Sequence, residues 1–117
     1  MNKNNQIDLI EFPSGSAEEL KATTKFFSEV FGWEFTEYGD EYADTHDSGV
    51  TAGVNASNDH KYTKPLAVIY CEDIAETKKK IMDAGGKITV DLYEFPGGKR
   101  FHFTDPTGHE LAVWSEK

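Results

Sequence analysis

The chain has 117 residues, of which 38% are hydrophobic and 13% aromatic, enough for one domain with a packed core. Twenty-one acidic residues against twelve basic ones give a net charge of −9. This balance argues against binding to nucleic acid or to an anionic membrane surface, because both need clustered Lys and Arg. There is no apolar run of membrane-spanning length, no signal-peptide core, and only one cysteine, Cys71. The composition predicts a cytoplasmic protein with a single domain, residues 1–117.

In the first half, a strand is predicted over Ile7–Phe12, followed by a helix that ends at Gly32. Ser16 and Glu19 have the spacing of a capping box at the start of that helix. The helical period places four apolar residues on one face: Leu20, Phe27, Val30 and Phe31. Three strands are predicted after the helix, over Trp33–Tyr38, Tyr42–Thr45 and Val50–Val54.

The second half repeats this order. Leu66–Tyr70 reads as a buried strand, and Asp73 with Glu76 caps a helix whose inner face is predicted to be Ile74, Ile81 and Met82. Asp105-Pro106-Thr107-Gly108 has the residue types of a β-turn. Three strands are predicted over Ile88–Tyr93, Lys99–Thr104 and Glu110–Ser115.

An internal repeat therefore organises the chain into two βαβββ modules, at about residues 7–54 and 65–115, with a polar linker at 55–64. One such module leaves a sheet face exposed, so two modules must pack side by side or swap between chains. The predicted fold class is α+β, with the two modules forming a curved mixed sheet around a cleft.

Two short motifs carry a resemblance to a known family. The segment from Phe26 to Phe35, with Phe26-Phe27 and Phe31-Gly32-Trp33, resembles the aromatic signature of the glyoxalase/bleomycin resistance protein/dioxygenase proteins, the vicinal oxygen chelate superfamily. Asp105-Pro106-Thr107-Gly108 resembles the Asp-Pro-x-Gly-Asn turn of that family, with His109 in place of the usual Asn. The resemblance covers about residues 7–115 and implies paired βαβββ modules around a pocket, usually in a homodimer.

The resemblance also implies where a metal ion would bind. Metal-using members of the family hold one divalent cation with His, Gln or Glu side chains. The motif anchors place those four positions at Leu9, Gly53, Leu66 and Ala112, or at Glu11 instead of Leu9 if the first strand is shifted by two residues. Apolar side chains supply no donor to a divalent ion, so no metal site and no cofactor are expected.

Strand alternation from these positions predicts the lining of the pocket. Leu9, Leu66 and Ala112 bring Glu11, Tyr70 and Trp114 to the same side. On the neighbouring strand Phe101 and Phe103 are predicted to be core residues, which leaves Arg100 and His102 facing the pocket. The predicted ligand-binding residues are Leu9, Leu66, Tyr70, Arg100, Ala112 and Trp114, and the predicted acid/base pair is Glu11 and His102.

Each of these side chains also has a purely structural interpretation. Glu11 either takes part in proton transfer or forms an ion pair with Arg100 or His102 that supports the sheet. His102 is either a general base or a hydrogen-bonded buried histidine. Tyr70 and Trp114 either stack on a ligand or pack against the protein.

Two functions follow from this sequence. The first is metal-independent binding of a small, partly apolar or aromatic molecule by a homodimer that has no nucleic-acid or membrane partner. The alternative is an enzyme with an atypical site, a lyase, isomerase or dioxygenase-type member of the same superfamily. Metal-free catalysis would need Glu11 or His102 within hydrogen-bond reach of a substrate proton.

Overall fold

The computed structural model describes residues 2–57 and 62–116, so residues 58–61 of the predicted linker lie outside the described part of the chain. The elements follow in the order β1 Gln6–Pro13, α1 Ala17–Phe31, β2 Thr36–Glu37, β3 Tyr42–Thr45, β4 Thr51–Asn55, β5 Leu66–Tyr70, α2 Ile74–Asp83, β6 Lys87–Phe95, β7 Gly98–Thr104 and β8 Glu110–Ser115. This order is βαβββ twice and confirms the α+β class with two modules. Within the described residues, neither helix has the length and apolar character needed to cross a bilayer.

The chain divides into two compact units, one of Leu9–Leu66 and one of Met1–Asp8 with Ala67–Lys117. Strand β1 is therefore shared, because its residues 6–8 belong to the second of these units and its residues 9–13 belong to the first. We refer to them as the α1 unit and the α2 unit after the helix that each contains.

In the α1 unit the strands lie in the order β2-β3-β4-β1. Strands β1 and β4 are parallel, whereas β3 is antiparallel to β4 and to β2. Helix α1 begins at Ser16, whose hydroxyl oxygen accepts a hydrogen bond from the Glu19 N–H, and ends at Gly32 with a φ of 74°. Both helix ends were predicted, and each is fixed by a local feature of the sequence.

The helix face predicted for α1 is only partly buried. Leu20 packs in a core with Ala43, Val54 and Ala56, and Phe27 is half-buried. By contrast, Val30 is 55% exposed and Phe31 is 57% exposed. Phe27 contacts the sheet through Phe12 of β1, at 5.6 Å between ring centroids, whereas Phe31 packs on other aromatic residues, 5.2 Å from the Trp33 ring and 6.3 Å from the Phe27 ring. Helical period alone does not distinguish these two kinds of packing.

In the α2 unit the strands from β5 onward lie in the order β5-β8-β7-β6. Strands β5 and β8 are parallel, and β8, β7 and β6 are successively antiparallel. One sheet face packs against α2 through a core of Cys71, Ile74, Phe101, Phe103 and Val113. This confirms the predicted core positions of Phe101 and Phe103. The prediction for Met82 was wrong, because Met82 is 50% exposed and only Ile74 and Ile81 pack on this core.

The predicted turn before β8 is present. The Gly108 N–H donates to the Asp105 carbonyl oxygen at 3.0 Å. The Asp105 carboxylate accepts hydrogen bonds from the N–H groups of Thr107 and His109, and its Oδ2 lies 2.9 Å from His109 Nδ1. The hydrogen bonds from His109, followed by those from Thr107, hold the pKa of Asp105 far below its usual range.

Candidate functional site

We use the name open face for the sheet face of the α2 unit that does not pack on α2; Tyr70 and Arg100 on this face are buried, with 7% and 8% of their surface exposed. In the strand register Tyr70 pairs with Trp114, Trp114 pairs with Arg100, and Arg100 pairs with Tyr93. Their sequence neighbours Val113 and Phe101 lie in the core under the helix. Because neighbouring side chains on a strand point to opposite faces, the four residues form one row on the open face.

A second row lies next to the first. In it Val68 pairs with Ala112, Ala112 with His102, and His102 with Val90. His102 and Ala112 are buried, with 1% and 0% of their surface exposed. Five of the six site residues predicted from the second module therefore share one face: Tyr70, Arg100, His102, Ala112 and Trp114.

The polar side chains on this face meet at one nitrogen atom, Nε2 of His102. Arg100 Nε donates a hydrogen bond to His102 Nε2 at 3.1 Å, and the Tyr93 hydroxyl oxygen lies 3.2 Å from the same Nε2 atom. A guanidinium N–H can only donate, so His102 Nε2 must accept and carries no proton. The neutral imidazole then has its proton on Nδ1, which lies 4.0 Å from Glu110 Oε2, too far for a hydrogen bond. The lone pair of Nε2 is taken by the Arg100 N–H, so Nε2 can take up a proton only if that hydrogen bond breaks.

Aromatic rings flank the polar group. The Tyr70 and Trp114 ring centroids are 5.1 Å apart with planes inclined by 67°, and the Phe95 ring lies 6.2 Å from the Trp114 ring. The indole Nε1 of Trp114 donates to both carboxylate oxygens of Asp8, at 3.1 and 3.3 Å. These contacts fix the orientation of the Trp114 ring, which is only half-buried.

Two ionisable groups beside the rings have shifted pKa values. Burial raises the pKa of Tyr70, and the hydrogen bond that its hydroxyl donates to Glu116 Oε1 at 3.1 Å raises it further. Tyr70 is thus held as a neutral phenol. Burial also raises the pKa of Asp8 and outweighs the hydrogen bond from Trp114, which lowers it.

The other three predicted site residues belong to the α1 unit. Glu11 is 3% exposed and its Oε1 accepts a hydrogen bond from the Tyr62 hydroxyl at 2.6 Å. Leu66 is buried and Leu9 is half-buried. Glu11 lies opposite Gly53 on β4. A buried carboxylate that accepts a hydrogen bond from a phenol fits the structural interpretation of Glu11. This contact does not test the predicted catalytic role of Glu11, which stays a prediction.

The residues at the four positions where the family resemblance implies metal ligands do not fit a metal ion. Leu9, Leu66 and Ala112 have no donor atoms, and Gly53 has no side chain. A Cβ atom at Gly53 would overlap the Tyr42 hydroxyl oxygen, so Tyr42 occupies the space that a ligand side chain would need. Across residues 2–57 and 62–116, which leave out His60, there is no group of three or more His, Cys, Asp or Glu residues that could hold a metal.

A surface depression of about 500 Å³ lies elsewhere in the α2 unit, at the start of α2. All eight predicted site residues lie outside its lining, which consists of Glu72, Asp73, Ile74, Ala75, Lys99 and Ser115. It has neither the aromatic rings nor the convergent polar groups of the open face, so we place the candidate site on the open face.

Three residues that contact the predicted site residues were not predicted from the sequence, namely Tyr93, Asp8 and Tyr62. Tyr93 lies on β6, where register shifts between Ile88 and Val90 and between Val90 and Tyr93 interrupt the alternation of faces. Asp8 contacts Trp114 across 106 positions of sequence, and no local pattern signals such a contact. Tyr62 could have been noticed, because it is the one aromatic residue in the polar stretch 55–64.

Comparison with solved structures shows where this fold occurs. The crystal structure of NAD-dependent benzaldehyde dehydrogenase from Legionella pneumophila is similar over 93% of this chain and 98% of that chain, with 16% identity and a TM-score of 0.76. A glyoxalase/bleomycin resistance protein/dioxygenase superfamily member from Vibrio splendidus 12B01 is similar over 96% and 99%, with 16% identity and a TM-score of 0.69. The Mn(II)-bound glyoxalase from Novosphingobium aromaticivorans is similar over 99% of this chain and 40% of that chain, with 16% identity and a TM-score of 0.66. At this identity the likeness shows the fold alone.

A comparison with curated proteins finds no match. A family model does match, and it covers residues 16–113, which include most of both modules. That model describes the glyoxalase/bleomycin resistance protein/dioxygenase superfamily. The chain therefore belongs to this superfamily.

Proposed function

We propose that the protein binds a small, partly apolar or aromatic molecule on the open face of the α2 unit, without a metal ion. The observation that carries the proposal is the set of inclined rings of Tyr70, Trp114 and Phe95 beside the Arg100–His102 hydrogen bond. Aromatic walls with a few convergent polar groups are typical of small-molecule sites.

The proposed roles follow from the chemistry of each side chain. Trp114 is half-buried and held by Asp8, so it offers a fixed aromatic surface at little cost in side-chain entropy. Ala112 keeps the floor of the face flat, and Arg100 and His102 orient the polar end of the ligand. Leu9 and Leu66, which belong to the α1 unit, stay predictions from the sequence.

The binding proposal is tested by the fluorescence of Trp114. The chain contains two tryptophans, and the Trp33→Phe variant leaves Trp114 as the only one. In this background we expect members of a panel of small aromatic acids and neutral aromatic compounds to change the emission in a saturable way. Tyr70→Leu should then weaken the binding of each hit by about two- to tenfold, as expected for the loss of an aromatic contact worth about 0.5–1.5 kcal/mol.

Met82→Ala is the matched control, because it truncates an exposed apolar side chain on α2. If Tyr70→Leu and Arg100→Gln both leave the affinity of the hits unchanged while the variants stay folded, the ligand does not bind on this face.

The claim that binding needs no metal ion has a separate test. Because the four family metal positions offer no donors, we expect EDTA to change neither the melting temperature nor the affinity for a hit. If elemental analysis of the purified protein gives close to one divalent metal ion per chain, the claim that binding needs no metal ion is wrong. The proposed location of the site is not affected by that result.

The second candidate function is a metal-free enzyme, and the position of His102 on the same sheet face as the aromatic rings is the observation that favours it. Turnover of a binding hit should then be lost in His102→Ala, and in Glu11→Gln if both members of the predicted pair take part. Turnover that survives in both variants would exclude this pair.

A further inference from the structure

The second half of helix α1 carries an exposed apolar surface. Phe26 is 58% exposed, Val30 is 55% exposed and Phe31 is 57% exposed. The aromatic rings form a continuous series, since the centroids of Phe26 and Phe27 are 5.9 Å apart, those of Phe27 and Phe31 are 6.3 Å apart, and those of Phe31 and Trp33 are 5.2 Å apart. Val30 lies one helical turn after Phe26. We call these five residues the α1 patch.

The α1 patch is not the side of the helix that packs on its own sheet. Leu20 and Thr24 are the buried residues of α1, and Leu20 belongs to the core of the α1 unit. With 3.6 residues per turn, Phe26 and Val30 lie roughly 120° and 80° around the helix from Leu20. One side of α1 therefore packs on the sheet, while a second apolar side remains exposed.

The area of the α1 patch is that of an interaction surface. At the exposed fractions given above, Phe26, Val30 and Phe31 present roughly 300 Å² of apolar surface. Monomeric proteins rarely expose a contiguous apolar patch of more than a few hundred Å². A specific protein interface buries about 800 Å² on each partner, with an apolar centre and a polar rim. The α1 patch has the size and composition of such a centre.

The charges beside the α1 patch are complementary to those of a second copy. Lys25 and Glu29 lie along one edge, with 3.6 Å between Nζ and Oε1, and both side chains are exposed. Two copies of α1 that pack antiparallel about a two-fold axis midway between Phe26 and Val30 bring Phe26 of each copy against Val30 of the other. The same rotation brings Lys25 of each copy to within about 3 Å, measured along the helix axis, of Glu29 of the other.

This arrangement has two further electrostatic consequences. The last turn of α1 contains no basic residue, and antiparallel packing sets the dipoles of the two helices in opposite directions. Each chain has a net charge of −9, so two copies repel each other at long range. Salt at physiological ionic strength screens that repulsion beyond about 8 Å. The contacts at the α1 patch therefore determine whether two copies associate.

We propose that the α1 patch is an interface between two copies of this chain, with α1 packed against α1 about a two-fold axis. The occupant is a second copy because Lys25 and Glu29 form an edge that is complementary to itself. All residues of the interface belong to the α1 unit, and the proposal does not depend on the proposed function, which concerns the open face of the α2 unit.

Sedimentation equilibrium of the full chain measures the dissociation constant of the pair. We expect a reversible dimer, and we expect Phe26→Lys and Val30→Lys each to raise the dissociation constant at least about tenfold, because each places a charge at the apolar centre. Met82→Lys is the matched control, since it adds the same charge at an exposed apolar side chain of α2 and should have no effect. A monomer at every concentration overturns the proposal, and so does a dimer that neither folded patch variant weakens.

A charge exchange tests the two-fold arrangement. Lys25→Glu alone should weaken the dimer, because it places a second carboxylate opposite Glu29 of the other copy. Adding Glu29→Lys to it should return the dissociation constant to near that of the unchanged protein. Both positions are exposed, and circular dichroism checks the fold of each variant. A double variant as weak as the single one would show that these edges of the two helices do not meet.

The fluorescence of Trp33 gives a measurement that needs no change in the α1 patch. In the Trp114→Phe variant Trp33 is the only tryptophan. Acrylamide quenching of its emission should fall as the protein concentration rises through the dissociation constant. Equal quenching of monomer and dimer would place the interface elsewhere and overturn the proposal. If the protein stays monomeric and the emission responds to an amphipathic helical peptide of leucine and lysine, the occupant is a basic partner, and the proposal is again overturned.

Discussion

Gly53 shows how one residue can determine whether a strand has room for a metal-binding side chain. It lies on β4 between Glu11 and Asp44 in the strand register, and the Tyr42 side chain covers it. The absence of a side chain at this position lets Tyr42 lie against the strand. The absence of a side chain at Gly53, where the family resemblance implies a metal ligand, is thus coupled to the packing of Tyr42.

Gly53→Ala is expected to lower the free energy of unfolding by about 1–3 kcal/mol, because the new Cβ would overlap the Tyr42 hydroxyl and force the ring to move. Urea denaturation measures the change. Gly15→Ala is the matched control, since the nearest atom there is the end of the flexible Glu19 side chain at 3.0 Å. Equal stability of the two variants would contradict this packing of Tyr42.

Asp105 is expected to make stability depend on pH. Its pKa in the folded protein lies far below the ordinary value of 3.8, because His109 and Thr107 donate hydrogen bonds to its carboxylate. The stabilisation is therefore fully present above pH 3.8 and is lost as the pH falls toward the folded-state pKa. We expect the unfolding free energy of Asp105→Asn to fall less steeply than that of the unchanged protein between about pH 4 and about pH 2. If the unfolding free energies of the two proteins fall in parallel with pH, the ionisation of Asp105 contributes nothing to the pH dependence of stability.

Counting by two along the strands predicted which side chains share a face on some strands and not on others, for a physical reason. Arg100, His102, Ala112 and Trp114 lie on β7 and β8, which pair without interruption, so counting by two places them on one face. Tyr93 could not be placed in the same way, because β6 contains two register shifts. Whether any of these residues binds a ligand depends on chemistry that alternation does not describe.

At the scale of elements, local signals predicted the helix ends well and the short strands less well. Ser16, Gly32 and Asp73 cap the helices through hydrogen bonds and a backbone angle that depend only on nearby residues. Strand β2, predicted over Trp33–Tyr38, is only Thr36–Glu37. The aromatic residues Trp33 and Phe35 pack on Phe27 instead of extending the strand, and that contact is tertiary.

The N-terminal cap of α1 is expected to contribute measurably to stability. Ser16→Ala removes the acceptor for the Glu19 N–H and should lower the unfolding free energy by about 1 kcal/mol, whereas Ser16→Asp should retain most of it. Thermal or urea unfolding of the two variants gives the comparison. A Ser16→Ala variant as stable as Ser16→Asp would mean that water satisfies the free N–H equally well.

At the scale of the whole molecule, the predicted assembly is a homodimer. Family resemblance is the basis of this expectation, and sedimentation equilibrium tests it. We expect a mass of twice the 13.1 kDa of one chain at micromolar concentration. A single species of 13.1 kDa at every concentration would show that the protein is a monomer.

The shared strand β1 has a consequence for how the protein forms in the cell. Asp8 bonds to Trp114 across 106 positions, and the Asn5 N–H donates to the Tyr70 carbonyl oxygen. At typical rates of synthesis, Trp114 leaves the ribosome roughly 5–20 s after Asp8. The α1 unit is complete once Leu66 has been synthesised, whereas the α2 unit combines residues up to Asp8 with residues from Ala67 onward. Translation from the N-terminus therefore favours folding of the α1 unit before residues 6–8 meet their partners in the α2 unit, which are synthesised later.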